Sequence, residues 1–154
     1  MKILANDGIS KSGIEALKKA GFQVITTTVA QEQLENYINQ NHIDVLLVRS
    51  ATTVRQNLID ACPSIKIIGR GGVGMDNIDV EYARSKGIHV INTPAASSQS
   101  VAELVFAHLF GGVRFLHDSN RNMPLDGDTQ FNALKKNYAK GMELRGKTLG
   151  IIGF

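Results

Sequence analysis

One cysteine, Cys62, is all that this 154-residue chain carries, so neither an internal disulfide framework nor a cysteine-rich metal site can be built from it. Cys62 stands before Pro63 at an expected helix end and reads as a small, inert hydrophobe. Uninterrupted apolar runs of about 18 residues, the length a membrane span needs, are also missing. The opening "MKILAND" lacks the apolar stretch of a secretory signal, so the expected location is the cytoplasm, without a membrane partner. The net charge of +3 comes from scattered cations, densest at Lys135, Lys136, Lys140, Arg145 and Lys147, with no basic face interleaved with aromatics. Nucleic acid is therefore not an expected partner. What remains is an ordinary globular composition, 43% hydrophobic and 20% charged, enough for one domain with a real core or slightly more.

Short apolar runs rich in β-branched residues alternate with helical patterns about ten residues long, the signature of βαβ units around a parallel sheet. The spacing predicts strands over 2–5, 22–26, 44–49, 66–68 and 89–92, and a last one over 148–152. Ser12 with Glu15, Thr28 with Gln31, Thr53 with Gln56 and Ser100 with Glu103 match the capping-box spacing of helix starts. "KKAGFQVI" and "RSKGIHVI" place cations in a last helical turn, then Gly21 or Gly87 at a left-handed exit.

These features predict an α/β fold: a flavodoxin-like, doubly wound parallel sheet over residues 1–97, then the opening of a second domain over 98–154. The second part begins with a long apolar helix from Ser98 to about Leu116, with His108 expected to be packed. A polar, strand-free stretch follows to Arg145. The closing "GKTLGIIGF" reads as a strand meeting its first glycine, and a parallel strand left uncovered there predicts that the chain is one domain and the start of another.

"GRGGVG", from Gly69 to Gly74, fits the spacing G-x-G-x-x-G. A dinucleotide fingerprint also needs a helix opening at its last glycine and a carboxylate ending the next strand. Here the next N-cap candidate is Asp79, too late, and the next strand ends in Asn92 and Thr93. No Gly-Lys-Ser/Thr follows, so a Walker loop is excluded as well. The loop suits an anion nest of backbone N–H groups at the carboxyl edge of the sheet, or a glycine turn with no ligand. Arg49 and Arg70 end the third and fourth strands, where open α/β sheets bind ligands and where guanidinium groups can pair with carboxylate or phosphate.

"VRSATTV", "GRGGVGMDNID", "NTPAASSQSVAEL" and "ELRGKTLGIIGF", in that order, resemble the D-isomer-specific 2-hydroxyacid dehydrogenases over essentially the whole chain, and most of all the phosphoglycerate branch of that family. The resemblance implies a substrate-binding domain, then a crossing near Ser98 into a Rossmann NAD-binding domain. It implies that Arg49, Ser50, Arg70, Gly71, Gly72, Val73 and Gly74 face a small anionic 2-hydroxy acid, with N–H groups at about Gly72 to Gly74 on its carboxylate. Val73, Ser97, Ser100 and Gly153 are implied to meet NAD. Where the family has Asn in its hinge, this chain has Ser97, and Ala95 replaces another frequent Asn.

The implied activity is NAD-dependent oxidation of a D-2-hydroxy acid, with 3-phosphoglycerate favoured and serine biosynthesis as its setting. The implied assembly is a homodimer through the nucleotide-binding domains. The family's catalytic Arg, His and Glu are expected beyond residue 154, and none of the four histidines here is a substitute. The alternatives are a sister enzyme reducing glyoxylate or hydroxypyruvate, and a non-catalytic, corepressor-like binding protein. Arg49 and Asn92 stand where a receiver-like switch needs Asp and Lys, which argues against that reading.

Overall fold

The computed structural model describes residues 1–152, and they form two compact units, one ending at Ser97 and the next starting at Ser98. In the first, strands β1 (Lys2–Ala5), β2 (Gln23–Ile25), β3 (Val45–Val48), β4 (Ile67–Arg70) and β5 (His89–Asn92) make one sheet of order β2-β1-β3-β4-β5. Every pairing is parallel. Helices α1 (Lys11–Lys19), α2 (Gln31–Asn41), α3 (Gln56–Ala61) and α4 (Val80–Ser85) supply the crossovers. Right-handed crossovers with this strand order put α1 on one face and the other three on the opposite face.

Register explains the core. Leu4, Leu46, Ile68 and Val90 stand side by side across four strands, and the first three have no exposed surface. Leu34 and Ile38 of α2, Leu58 and Ile59 of α3 and Ala83 of α4 close over that row. On the opposite face the neighbouring row is Ala5, Leu47, Gly69 and Ile91. Gly69 is thus a strand residue, and a Cβ there would come within 2.7 Å of Leu47 Cδ2. Its missing side chain leaves room for Leu47.

The exits of α1 and α4 are twins. Gly21 (φ 86°) and Gly87 (φ 78°) take the left-handed conformation, and Phe22 and Ile88 each donate an N–H back to the helix, to Leu17 and Ala83 carbonyls. The capping boxes fall elsewhere than the spacing predicts. Ser10, not Ser12, caps α1, accepting from the Gly13 N–H at 3.1 Å. Helices α2 and α3 start at Ala30 and Arg55 without a side-chain cap of their own. Gln31 instead exchanges two hydrogen bonds with the Thr53 backbone, and Asp79 accepts from the Gln56 N–H at 3.0 Å while pairing with Arg55.

The second unit contains α5 (Ser98–Val113) and α6 (Leu116–Tyr138), joined at Phe115, whose φ is 54°. Thus the long apolar helix stops at Val113, three residues short of its expected end, and Ser100 lies inside it rather than capping it. Glu103 accepts from Gln99 at 2.8 Å. The polar stretch after His117 is strand-free as expected but mostly helical; α6 carries Pro124 and bends at Gln130. His108 is exposed, not packed. The strand expected over 148–152 does not form: these residues are exposed and have no ladder partner among the described residues, and a single strand without a neighbour is not stable by itself. The described part of the second unit is thus two helices and an irregular tail, without the expected strand. No described helix is long and apolar enough to cross a membrane.

Candidate functional site

The order β2-β1-β3-β4-β5 reverses direction between β1 and β3, and open α/β sheets bind ligands outside the carboxyl ends of their strands at such a reversal. A cleft of about 700 Å³ opens there. Leu47, Gly69 and Ile91 give it an apolar floor; Asp7, Arg49, Arg70 and Asn92 ring it.

Of the residues marked in the sequence, Arg49, Arg70 and Gly71 line this cleft, while Gly72, Val73 and Gly74 run on from its rim and Ser50 is exposed beside it. Ser97 ends the first unit and Ser100 belongs to α5; neither lines the cleft. Gly153 lies outside the described residues. Arg49 and Arg70 form no ion pair with a carboxylate among the described residues. Two guanidinium groups at one strand edge without acidic partners repel each other and favour an anion between or beside them. The Arg70 guanidinium lies against Gly72, close enough that any side chain at position 72 would collide with it, and its Nε donates to the Arg49 carbonyl at 3.4 Å.

None of the glycines at 69, 71, 72 and 74 has a positive φ. Their value here is the absence of a side chain, which lets Leu47 and Arg70 approach. Two of the loop's N–H groups are already engaged: Gly71 donates to the Val48 carbonyl at 2.9 Å and Gly72 to the Arg70 carbonyl at 3.0 Å. The Val73 and Gly74 N–H groups meet no protein acceptor among the described residues, which narrows the available donors to these two.

The segment that carries Arg49 is clamped on both sides of its backbone. From the turn after β1, the Asp7 carboxylate accepts from the Arg49 N–H at 2.6 Å, the Thr52 N–H at 3.1 Å and the Thr52 hydroxyl. Asn77 donates its Nδ2 to the Arg49 carbonyl at 2.9 Å and to the Thr52 carbonyl at 2.7 Å. Buried Asn6 completes the mount, donating to Thr52 Oγ1 and to the Val29 carbonyl while accepting from the Val29 N–H. Burial alone would raise the Asp7 pKa, but the Thr52 hydroxyl and the N–H groups of Arg49, Thr52 and Ala51 outweigh it and hold the carboxyl below its ordinary range. Asp7, Thr52 and Asn77 escaped the sequence reading. The position of Asp7 just past the first strand was the available signal, since that is the edge where the sheet meets its ligand.

With this geometry the cleft can hold an anion but offers little means of moving a proton. None of His42, His89, His108 and His117 lines it, and its one carboxylate, Asp7, is committed to Thr52 and the backbone. Cys62 is fully buried, its thiol pushed up to about 11 by burial and by the nearby charge of Glu35. Among the described residues no group of three or more His, Cys, Asp or Glu side chains could hold a metal ion.

Residues 3–144 match the model of the D-isomer specific 2-hydroxyacid dehydrogenase family, catalytic domain. The chain belongs to that family. Among D-2-hydroxyacid dehydrogenase relatives, it is 39% identical over 153 residues to the D-3-phosphoglycerate dehydrogenase of Methanocaldococcus jannaschii, covering 99% of this chain and 28% of that protein. Against the hydroxypyruvate reductase of Thermotoga maritima it is 40% identical over 154 residues, covering 99% of this chain and 48% of the other. This family member thus spans between about a quarter and a half of the length of these two relatives. In three dimensions it resembles a 3-phosphoglycerate dehydrogenase of Entamoeba histolytica with NAD+ bound, with a TM-score of 0.60, 33% identity, and coverage of 74% of this chain and 39% of that one. The α/β fold with a five-stranded parallel sheet accords with the sequence reading.

Proposed function

We propose that residues 1–97 are the substrate-binding side of an NAD-dependent oxidoreductase that converts a D-2-hydroxy acid to the 2-oxo acid, with 3-phosphoglycerate and 3-phosphohydroxypyruvate as the pair. The observation that carries this reading is that Arg49 and Arg70, without acidic partners among the described residues, line one cleft at the carboxyl edge of the sheet, beside Val73 and Gly74 N–H groups that meet no acceptor among those residues. Two guanidinium groups and two amide donors suit a substrate with two anionic groups. Phosphate contacts fall to the arginines and carboxylate contacts to the amides. The Asp7 and Asn77 clamps fix the Arg49 backbone before the substrate arrives, so only its side chain remains to be ordered on binding.

Val73, half-exposed beside those amides, offers an apolar surface that fits the flat face of a nicotinamide ring. NAD, when bound, supplies the hydride acceptor. Of the other residues assigned to it, Ser97 and Ser100 would lie along the cofactor. The second unit would start the nucleotide-binding domain and carry the contact between two copies of the chain. The cleft's own residues bind and orient; the chain of 154 residues is expected to show no turnover of 3-phosphoglycerate with NAD, and measurable oxidation would overturn this division of labour.

The hydroxypyruvate reductase of Thermotoga maritima, similar over almost the whole chain, supports a second reading in which the substrate lacks a phosphate. Calorimetric titration of the chain with D-3-phosphoglycerate and with D-glycerate separates the two. On the first reading the phosphorylated acid binds more tightly, and Arg49→Ala or Arg70→Ala weakens it about tenfold or more, the scale of a lost charge-assisted bond. Equal affinities for both acids favour the second reading, and unchanged affinities in both variants remove the arginine assignment.

A further inference from the structure

Position 92 is where a dinucleotide-binding sheet would carry a carboxylate for ribose, and here it is an amide with a different partner. Asn92 closes β5, level with Arg70 in the register. Its Nδ2 donates to the Val73 carbonyl at 2.6 Å, and the next residue's backbone, the Thr93 N–H, donates to the Gly72 carbonyl at 3.1 Å. Two consecutive carbonyls of the glycine loop are therefore drawn toward the end of β5.

The peptide bonds here are trans, and in a planar trans peptide the C=O and the N–H point in opposite directions. The Gly72 carbonyl shares its peptide with the Val73 N–H, and the Val73 carbonyl shares its peptide with the Gly74 N–H. Drawing both carbonyls toward β5 turns both N–H groups away from it, outward on exposed residues, where they meet no acceptor among the described residues. Within the loop, the Gly71 and Gly72 N–H groups are held by the Val48 and Arg70 carbonyls, and the two peptides that follow are held by the hydrogen bonds from the end of β5.

We infer that Asn92 is a positioning residue, which with the Thr93 backbone fixes the Gly72–Val73 and Val73–Gly74 peptides so that two N–H groups face the substrate carboxylate. The role rests on the proposed function, because it takes from there the carboxylate that the amides meet. An aspartate at 92 has the same shape but, when ionised, sets an acceptor against the Val73 carbonyl, so the Val73–Gly74 peptide is released or flipped. An alanine merely removes the donor.

The test follows amide resonances of the 15N-labelled chain during titration with D-3-phosphoglycerate and, separately, with inorganic phosphate. In the unsubstituted chain the Val73 and Gly74 amides shift with D-3-phosphoglycerate. In Asn92→Asp and Asn92→Ala the affinity for that ligand falls about tenfold, the scale of one lost hydrogen bond, and the Gly74 response shrinks. Inorganic phosphate, followed at the Arg49 and Arg70 side-chain resonances, binds the uncharged Asn92→Ala variant within about twofold of the original, a split that general loosening of the domain would not produce, whereas the added charge of Asn92→Asp, level with Arg70, weakens phosphate as well. Unchanged affinity and unchanged Val73 and Gly74 responses in the alanine variant would overturn the positioning role and leave the proposed function standing. Silence of those amides in the unsubstituted chain would overturn the carboxylate assignment itself, and the positioning role with it.

Discussion

The two units treat their hydrophobic residues in opposite ways. Among the described residues, all nineteen buried hydrophobic ones lie between Ile3 and Ile88, in the first unit. Of the sixteen exposed large hydrophobic residues among those described, thirteen lie in the second, from Val101 to Ile152, and neither α5 nor α6 buries a single residue. Burying one aliphatic side chain contributes about 1.5–3 kcal/mol, so the first unit has a large driving force for folding and the second has little of its own. A helix apolar on all sides is made for burial, and α5, with Val101, Leu104, Phe106 and Phe110 all half-exposed, is such a helix. Stability and ligand contacts therefore belong to different residues: the first unit is self-supporting, and a site can be mounted on its edge.

Removing a core side chain from each unit gives the largest contrast. Leu46→Ala or Ile68→Ala, in the central strands, is expected to cost about 2–5 kcal/mol in urea unfolding, whereas Phe110→Ala in α5 costs less than about 0.5 kcal/mol. A comparable loss at Phe110 would show that α5 is packed in solution and would break the comparison. Glycines sharpen it at a smaller scale. Gly69→Ala sets a Cβ against Leu47 and is expected to destabilise by about 1–3 kcal/mol, while Gly111→Ala, with open space around it in α5, stabilises by up to about 1 kcal/mol. Thermal melts of the two variants should move in opposite directions.

The smallest effect concerns Asp7, whose folded pKa lies below its unfolded value of about 3.9. A depressed carboxylate stabilises the fold above the unfolded pKa, and that contribution disappears as pH falls through the lower folded value. Asp7→Asn, which cannot accept the same set of N–H and O–H bonds, is expected to cost about 1 kcal/mol at pH 7 and to flatten acid unfolding below about pH 4. Asp44 and Asp60, held low mainly by hydrogen bonds from Lys66 and Lys86, act in the same window, so the flattening is partial. Equal slopes with pH in both proteins would remove Asp7 from the account.

The five strands of the first unit were legible in the sequence to within one or two residues, because alternating apolar runs and helix-length gaps are local signals. Gly21 and Gly87 were legible for the same reason. Of the helix starts, Asp79 does stand at the N-cap of α4, but the capping boxes read for α1, α2, α3 and α5 do not form. Gln31 spends its side chain on Thr53, and Asp79 covers the first amide of α3 from 23 residues away, so the partners of those ends are set by tertiary approach. Likewise Arg49 and Arg70 stood out as cations at strand ends, while Asp7 and Asn77 hold Arg49 across 42 and 28 residues of chain. Such clamps have no local spacing by which to be recognised. The predicted strand over 148–152 shows the limit from the other side: a pattern can favour an extended segment without providing a neighbour for it.

Asp7 and Asn77 grip the segment from Arg49 to Thr52 almost wholly by its main chain. Main-chain contacts do not depend on which side chain is displayed, so the display and its support can change separately. Exposed positions 49, 50 and 51 form a small exchangeable panel on a fixed frame. A descendant of this sequence could acquire a taste for a different acid by exchanging those side chains alone, with the frame and the core beneath it left intact.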